Sequence, residues 1–398
     1  MKKRSFTLII CLILALSLLT SCAGGCDGIG QAFNSISTTI SSFFQTISDN
    51  LSGNTPPPSS PSGTPSGSQP SGSEPSGSIP EPTPDPTPEP IDPPVIDEDQ
   101  YEINGNKITF GSYPQEQANS FLNAQLSFHY ATDLPTSTNS YDWTRFNYYE
   151  NGEEDGLDAW YKDITYSGDK YRGVYFTEYR PYMTSLSGEE NSMQDDNGYS
   201  IVTDHVYWFK FTPVTWTILE MDDEQAYIIC DNILDAQYFY PDLAQRTIDE
   251  NTVFANNWEH SYIRSWLNNQ FLNTCFNELE KLHLVSTTVD CTDSTTAFEN
   301  NTMISNDTID KIFLLSYQES VKSSYGFSSA FVVDTEKTKL GSAYAKALGL
   351  SSNCWWLRSP HLSINGVSRV YQDGKVHAEL NADANVLMGV VPAVRIYL

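Results

Sequence analysis

Between Gln115 and Pro213 the chain gathers Trp143, Phe146, Tyr148, Tyr149, Trp160, Tyr161, Tyr166 and Tyr171 among Glu150, Glu153, Glu154, Asp155 and Asp158. Ring faces beside carboxylates are what recognition of a sugar requires: the ring stacks on C–H groups while the carboxylate accepts from hydroxyls. Tyrosine-rich loops serve protein recognition equally well. The same rings are β-formers that can instead fill a local core. On the binding reading, Trp143, Tyr148, Tyr149, Trp160 and Tyr161 are the candidate ligand contacts. Trp356 and Arg358 join them, one as a platform and the other as a guanidinium fork for a carboxylate. For the string from Trp355 to Pro360 the structural alternative carries more weight. It would lock the C-terminal strands, with one Trp buried and Arg358 paired internally.

Other chemistry is sparser. Asp195-Asp196-Asn197-Gly198 clusters oxygens beside a turn glycine, which makes calcium possible; a solvated acidic turn is the stronger reading, because the alternating ligands and distal Glu of an EF-hand are missing. No Gly-x-Ser-x-Gly, His-Glu-x-x-His or phosphate loop occurs, and the six histidines have no neighbours that favour a triad. Catalysis is therefore the lesser expectation, and no cofactor is expected beyond the possible calcium.

Charge narrows the partners. The chain carries −28, which argues against nucleic acid, since duplex binding needs Lys and Arg on phosphates. It also gives no attraction to anionic lipid headgroups. Cys230, Cys275, Cys291 and Cys354 are irregularly spaced, so disulfides in any of three connectivities and buried thiols both remain open.

The elements that carry these residues begin well inside the chain. Lys2, Lys3 and Arg4 precede an apolar run from Phe6 to Leu19 that ends on Leu19-Thr20-Ser21-Cys22. That run is too short for a stable span and reads as an export signal, residues 1–21. Leu-Thr-Ser-Cys looks like a bacterial lipobox, which implies diacylglycerol and palmitate-type acylation at Cys22 and a membrane contact made through lipid. Residues 22–50 place Ile29, Phe33, Ile36, Ile40, Phe43 and Ile47 on one helical stripe, suited to an interface or a second copy, or else a marginal, mostly disordered helix. Residues 51–98 are Pro, Ser, Gly and Thr in the main and read as a tether.

Residues 99–398 read as one α+β domain with an aromatic and acidic insertion at about 117–205. Strands are expected around the Asn104-Gly105 turn, at Val214–Glu220 and Ala226–Cys230, at Val367–Tyr371 and at Val390–Tyr397. Helices are expected after Ser261 and over Ala343–Leu348, the latter ended by Gly349.

Six strings resemble an uncharacterised bacterial surface-domain family marked by Trp-Leu-Arg-Ser-Pro. They run Ile108 to Gln115, Pro213 to Trp216, Ile233 to Gln237, Ile263 to Asn268, Asp310 to Ser316 and Trp355 to Pro360. The resemblance implies a layout related to C-type-lectin-like and formylglycine-generating-enzyme-like folds, with paired chain ends and ligands carried on loops. Two departures stand out. The family's Gly-Val-Arg-Pro-Ala is here Gly389-Val390-Val391-Pro392-Ala393, and Cys354 has no close partner, which argues against the oxidase chemistry of those enzymes. The expectation is an outward-facing, lipid-anchored binding module for a glycan or surface protein, with an extracytoplasmic enzyme or a structural surface protein as alternatives.

Overall fold

The computed structural model describes residues 100–136, 138–146, 159–176, 205–376 and 382–398. These form a mixed α+β unit. The larger sheet holds nine strands: β1 (Glu102–Asn104), β2 (Lys107–Gln117), β3 (Thr144–Arg145), β4 (Ala159–Tyr166), β5 (Asp169–Phe176), β6 (Val206–Met221), β7 (Gln225–Cys230), β13 (Ile312–Phe313) and β18 (Ala393–Tyr397). The smaller has five: β8 (Asp235–Gln237), β14 (Trp355–Pro360), β15 (Gly366–Val370), β16 (Ala382–Asp383) and β17 (Met388–Val390). Two strand pairs stand apart, the hairpin of β9 (Arg246–Ile248) with β10 (Asn251–Val253), and β11 (Thr287–Val289) with β12 (Thr308–Asp310) across a long connection.

Local chemistry accounts for the hairpins. Gly105, at φ +63°, opens the β1–β2 turn, and Asp222 closes the turn after β6 by accepting from the N–H groups of Glu224 and Gln225. Ser167-Gly168 and Asp249-Glu250 have positive φ at both central positions, the turn whose twist suits a two-residue hairpin. β6 is longer than the alternation at Val214–Glu220 suggests. It pairs with β2 over most of its length, with β5 near its start and with β7 near its end.

The C-terminal segment departs from expectation. Instead of one strand over Val390–Tyr397, β17 ends at Val390 in the smaller sheet and β18 begins at Ala393 in the larger. Pro392 has no N–H to give to a ladder, so the chain leaves one sheet and enters the other there. The chain ends also do not pair directly as the resemblance implied. β2 and β18 share a sheet with β6 and β7 between them.

Two apolar clusters hold the unit together. The main one lies between the sheets and the helices, with Trp216, Trp258, Trp355, Trp356, Tyr227, Phe239 and Phe271 all buried in it. The smaller one sits on the insertion, where Leu126 of the helix Ser120–Tyr130 meets Trp143, Tyr171, Tyr175 and Trp208. That helix starts on Asn119, whose side chain accepts from the Leu122 N–H.

Candidate functional site

The two sheets and two helices enclose a polar pocket of about 140 Å³. Each wall has a local cause. In β2, a register shift between Thr109 and Ser112 surrounds Gly111, which sits at φ +74°. The extra residue changes the phase of the strand, so Tyr113 turns inward as Ile108 and Phe110 do. In β8, Asp235 and Gln237 are two residues apart, which places carboxyl and amide on one face of a fully buried strand. Ser261 accepts from the Arg264 N–H to start the helix that follows, and Trp266, Gln270 and Thr274 recur every four residues along its pocket side. A π turn at Leu267–Phe271 lies within that helix. The insertion contributes Arg145 and Phe146, then Tyr161 of β4 and Arg172 of β5, and Tyr344 of the helix Ala343–Ala347 closes the enclosure.

Asp235 is held by three donors. Tyr113 Oη gives to Oδ2 at 2.7 Å, the Ala236 N–H to Oδ1 at 2.7 Å and Gln237 Nε2 to Oδ1 at 2.9 Å. Burial raises the carboxyl, the three donors work against it, and the balance stands at about 6. Arg172 lies opposite Asp163 on the neighbouring strand and engages it with two bonds, Nε to Oδ1 at 2.7 Å and Nη2 to Oδ2 at 2.9 Å. Its remaining nitrogen, Nη1, reaches Tyr344 Oη at 3.4 Å, and its plane covers the Tyr161 ring at 4.2 Å.

Gln237 supplies an unanswered acceptor among the pocket's lining residues, and the Nε of Arg145 is a second buried atom without a hydrogen-bond partner among the described residues. Gln237 is 2% exposed, and its Oε1 has no hydrogen-bond partner among the described residues. Turning the amide over does not repair this, because Oε1 would then face Asp235 Oδ1 and Nε2 would lose its acceptor. A buried acceptor left empty costs about 1–3 kcal/mol.

Few of the sequence candidates line the pocket. Tyr161 does. Trp160, its neighbour in β4, packs on the smaller apolar cluster instead. Trp143 is 3% exposed in that cluster and donates from Nε1 to the Asp133 carbonyl at 2.9 Å. Trp356 is 0% exposed and donates from Nε1 to the Gln237 carbonyl at 2.9 Å, so it braces β8 from behind and offers no ring face to solvent. Arg358 is buried too: Nη1 meets Glu319 and the Leu314 carbonyl, and Nε and Nη2 reach the Asp290 carbonyl. The weightier reading of this pair is the arrangement found, with both side chains engaged inside the fold, and the platform-and-fork alternative does not hold. Tyr148 and Tyr149 lie outside the described residues, as do Cys22, the carboxylates from Glu150 to Asp158 and the Asp195–Gly198 string. Among the described residues no group of three or more His, Cys, Asp or Glu side chains can hold a metal.

Tyr113, Arg172, Asp235 and Gln237 were not candidates from the sequence. The available signal was the strand Asp235-Ala236-Gln237, where a carboxyl and an amide alternate with Ala after the apolar pair Ile233-Leu234. A larger groove of about 730 Å³ lies on the other side of the same helix, and its cations are bonded within the fold as Arg172 is. Arg264 bonds Asp310, Arg246 bonds the His260 and Phe254 carbonyls, and Lys311 bonds the Lys281 carbonyl.

Asp235, Gln237, Trp266 and Tyr344 fall within one recognisable stretch. Residues 223–397 match the family model of a domain of unknown function, DUF6273. No curated protein and no solved structure matches the chain. Tyr113, Arg145, Tyr161 and Arg172 precede the DUF6273 match, so the pocket is made jointly by the matched stretch and the residues before it.

Proposed function

We propose that the chain is a surface-displayed, non-catalytic binding lipoprotein that recognises a glycan or protein group in the pocket at Asp235 and Gln237. The observation that carries this is Gln237 Oε1, a buried acceptor without a donor, in a pocket bounded by aromatic rings and by Arg172. Natural folds leave few such acceptors unanswered, and a hydrogen-bond donor on a ligand would answer this one. The lipobox-like Leu19-Thr20-Ser21-Cys22 and the Pro-rich stretch after it support an outward-facing domain on a lipid anchor. A C-type-lectin-like layout is part of the same reading. It rests on the strings shared with the surface-domain family and on the mixed α+β arrangement with long loops.

The direct test presents the labelled full-length chain to glycan and cell-surface-protein arrays, with and without calcium. Binding that Gln237→Met abolishes supports the proposal. Absence of binding to every feature, or binding indifferent to that substitution, removes its basis.

One observation favours an extracytoplasmic enzyme as the second reading: a buried carboxyl poised at about 6 is suited to proton transfer. Among the described residues no Ser, Cys or His lines the pocket beside it. Turnover of wall polymer or protein that disappears in Asp235→Asn, with ligand affinity retained, would establish that reading over the first.

A further inference from the structure

We infer that Lys339 is a nucleophilic amine that captures a small aldehyde as an imine, in a cluster with Lys107, Thr217 and Asp231. None of these residues lines the Asp235 pocket, so the site stands independently of the ligand reading given to that pocket.

The strands bring the cluster together. Lys107 of β2 lies opposite Thr217 of β6, and Asp231 follows the last residue of β7 and donates its N–H to the Thr215 carbonyl. Lys107 Nζ gives to both Asp231 oxygens at 2.8 Å and to Thr217 Oγ1 at 2.6 Å, and Thr217 Oγ1 gives to Asp231 Oδ1. Ile233 bridges Gly341 in parallel, which carries Asp231 and Lys339, each two residues earlier, to the same level. The side chains of Lys107 and Asp231 are 40% and 20% exposed, so the cluster opens to solvent.

Lys339 is only 5% exposed, and among the described residues its Nζ has no hydrogen-bond acceptor and makes no close ion pair. The nitrogen is not among the fully enclosed orphan atoms either, so it keeps some accessible surface. A buried ammonium without a partner is costly, which favours the neutral amine. Burial, the largest influence, and Lys107 disfavour its charge; Asp231, Cys230 and Glu336 favour it, and the balance leaves the amine below its ordinary range. Lys337 gives the contrast. Burial lowers it too, yet its Nζ donates to the Ser328 carbonyl at 2.9 Å and lies 3.5 Å from Asp334, so its protons are held. A desolvated lysine beside a second cation is the arrangement that makes an amine nucleophilic near neutral pH. Nζ attacks the carbonyl carbon and its lone pair forms the C–N bond. The carbonyl oxygen takes both amine protons and leaves as water as the C=N bond forms, so no oxidant or reductant is needed. Asp231 and Lys107 act on Lys339 from the neighbouring strands and can relay those protons through water. The narrow exposure of Lys339 restricts the partner to a small aldehyde.

The test treats the full-length chain with acetaldehyde and sodium cyanoborohydride, which reduces an imine to a stable secondary amine, and reads alkylation at each lysine by peptide mass spectrometry. At neutral pH Lys339 should react about tenfold or more faster than the median exposed lysine, and its rate should level off at a lower pH than theirs. Lys107→Met removes the neighbouring cation and releases Asp231 to pair with Lys339. That variant should slow Lys339 by about tenfold and leave the other lysines unchanged, with near-ultraviolet circular dichroism as the check on folding. If wild-type Lys339 reacts no faster than exposed lysines, or reacts only after unfolding in urea, the assignment falls. If inorganic phosphate protects Lys339 while the other lysines react as before, the cluster is an anion site and the imine assignment falls as well. None of these outcomes bears on the Asp235 pocket.

Discussion

Tyr113 and Asp235 stand 122 positions apart in sequence, and the phenol of the first donates to the carboxyl of the second at 2.7 Å inside the protein. The bond joins the larger sheet to the smaller one at the pocket floor. It also ties the stretch before residue 223 to the stretch that matches DUF6273.

Tyr113→Phe removes one of three donors from a buried carboxyl. The variant should lose about 1–3 kcal/mol of stability at pH 8, and Asp235 should titrate above its present value of about 6. Urea unfolding gives the first quantity and carboxyl-carbon NMR the second. An unmoved titration would show that the phenol does not stabilise the charged form.

Asp235 also sets a pH dependence with a definite sign. Its folded value of about 6 lies above the ordinary 3.8, so between those limits the folded protein keeps a proton that the unfolded chain has released. The group's contribution is therefore complete at low pH and lost as pH rises through about 6. It amounts to about 3 kcal/mol at roughly 1.4 kcal/mol per unit. The wild-type advantage over Asp235→Asn in urea unfolding should shrink by that amount between pH 4 and pH 7. A difference that stays flat across the series contradicts the assignment.

Arg358 should prove structural. Burial opposes the charge of Glu319, yet Arg358 and the Ser316 N–H outweigh it and hold the carboxyl below its ordinary range. Arg358→Met strands that carboxylate and two carbonyls, at a cost of about 3–5 kcal/mol. Thermal unfolding should register the loss, while ligand affinity of the folded fraction remains at the wild-type value.

Gly111→Ala tests the bulge that aims Tyr113. A Cβ there would lie 2.8 Å from the Phe276 ring, on a backbone at φ +74°. Destabilisation of about 1–3 kcal/mol is expected, accompanied by loss of pocket ligand binding, because the strand phase beyond the bulge depends on it.

Cys230, Cys275, Cys291 and Cys354 are all buried free thiols. Burial pushes the Cys230 thiol up to about 12 and raises Cys275 and Cys291 as well. Maleimide should label these four only after unfolding in urea, at the same rate with or without prior reductant. Rapid native labelling at any of them would contradict the packing.

Features written in short stretches of sequence were legible. The Gly105 hairpin, the Ser261 cap and the helix ended by Gly349 all depend on a few adjacent residues, and all three occur. The break at Pro392 was legible in principle, but a strongly alternating apolar run over Val390–Tyr397 obscured it. The pocket was not legible, because its members come from seven elements and their roles arise only on meeting. Nothing near Gln237 in sequence says that its amide oxygen will have no donor, and nothing near Arg172 says that Asp163 will engage two of its three nitrogens. Aromatic content alone did not separate contact rings from core rings. Trp143 and Trp356 draw notice as rings, yet burial is the ordinary fate of a ring with a backbone carbonyl for its N–H.

The joint origin of the pocket has an evolutionary reading. The carboxyl and amide sit on β8, braced from behind by Trp356, while the opposite wall comes from the strands at Thr144–Phe176. Under the proposed function, substitutions in those strands would change which ligand fits while leaving the carboxyl and amide of β8 in place.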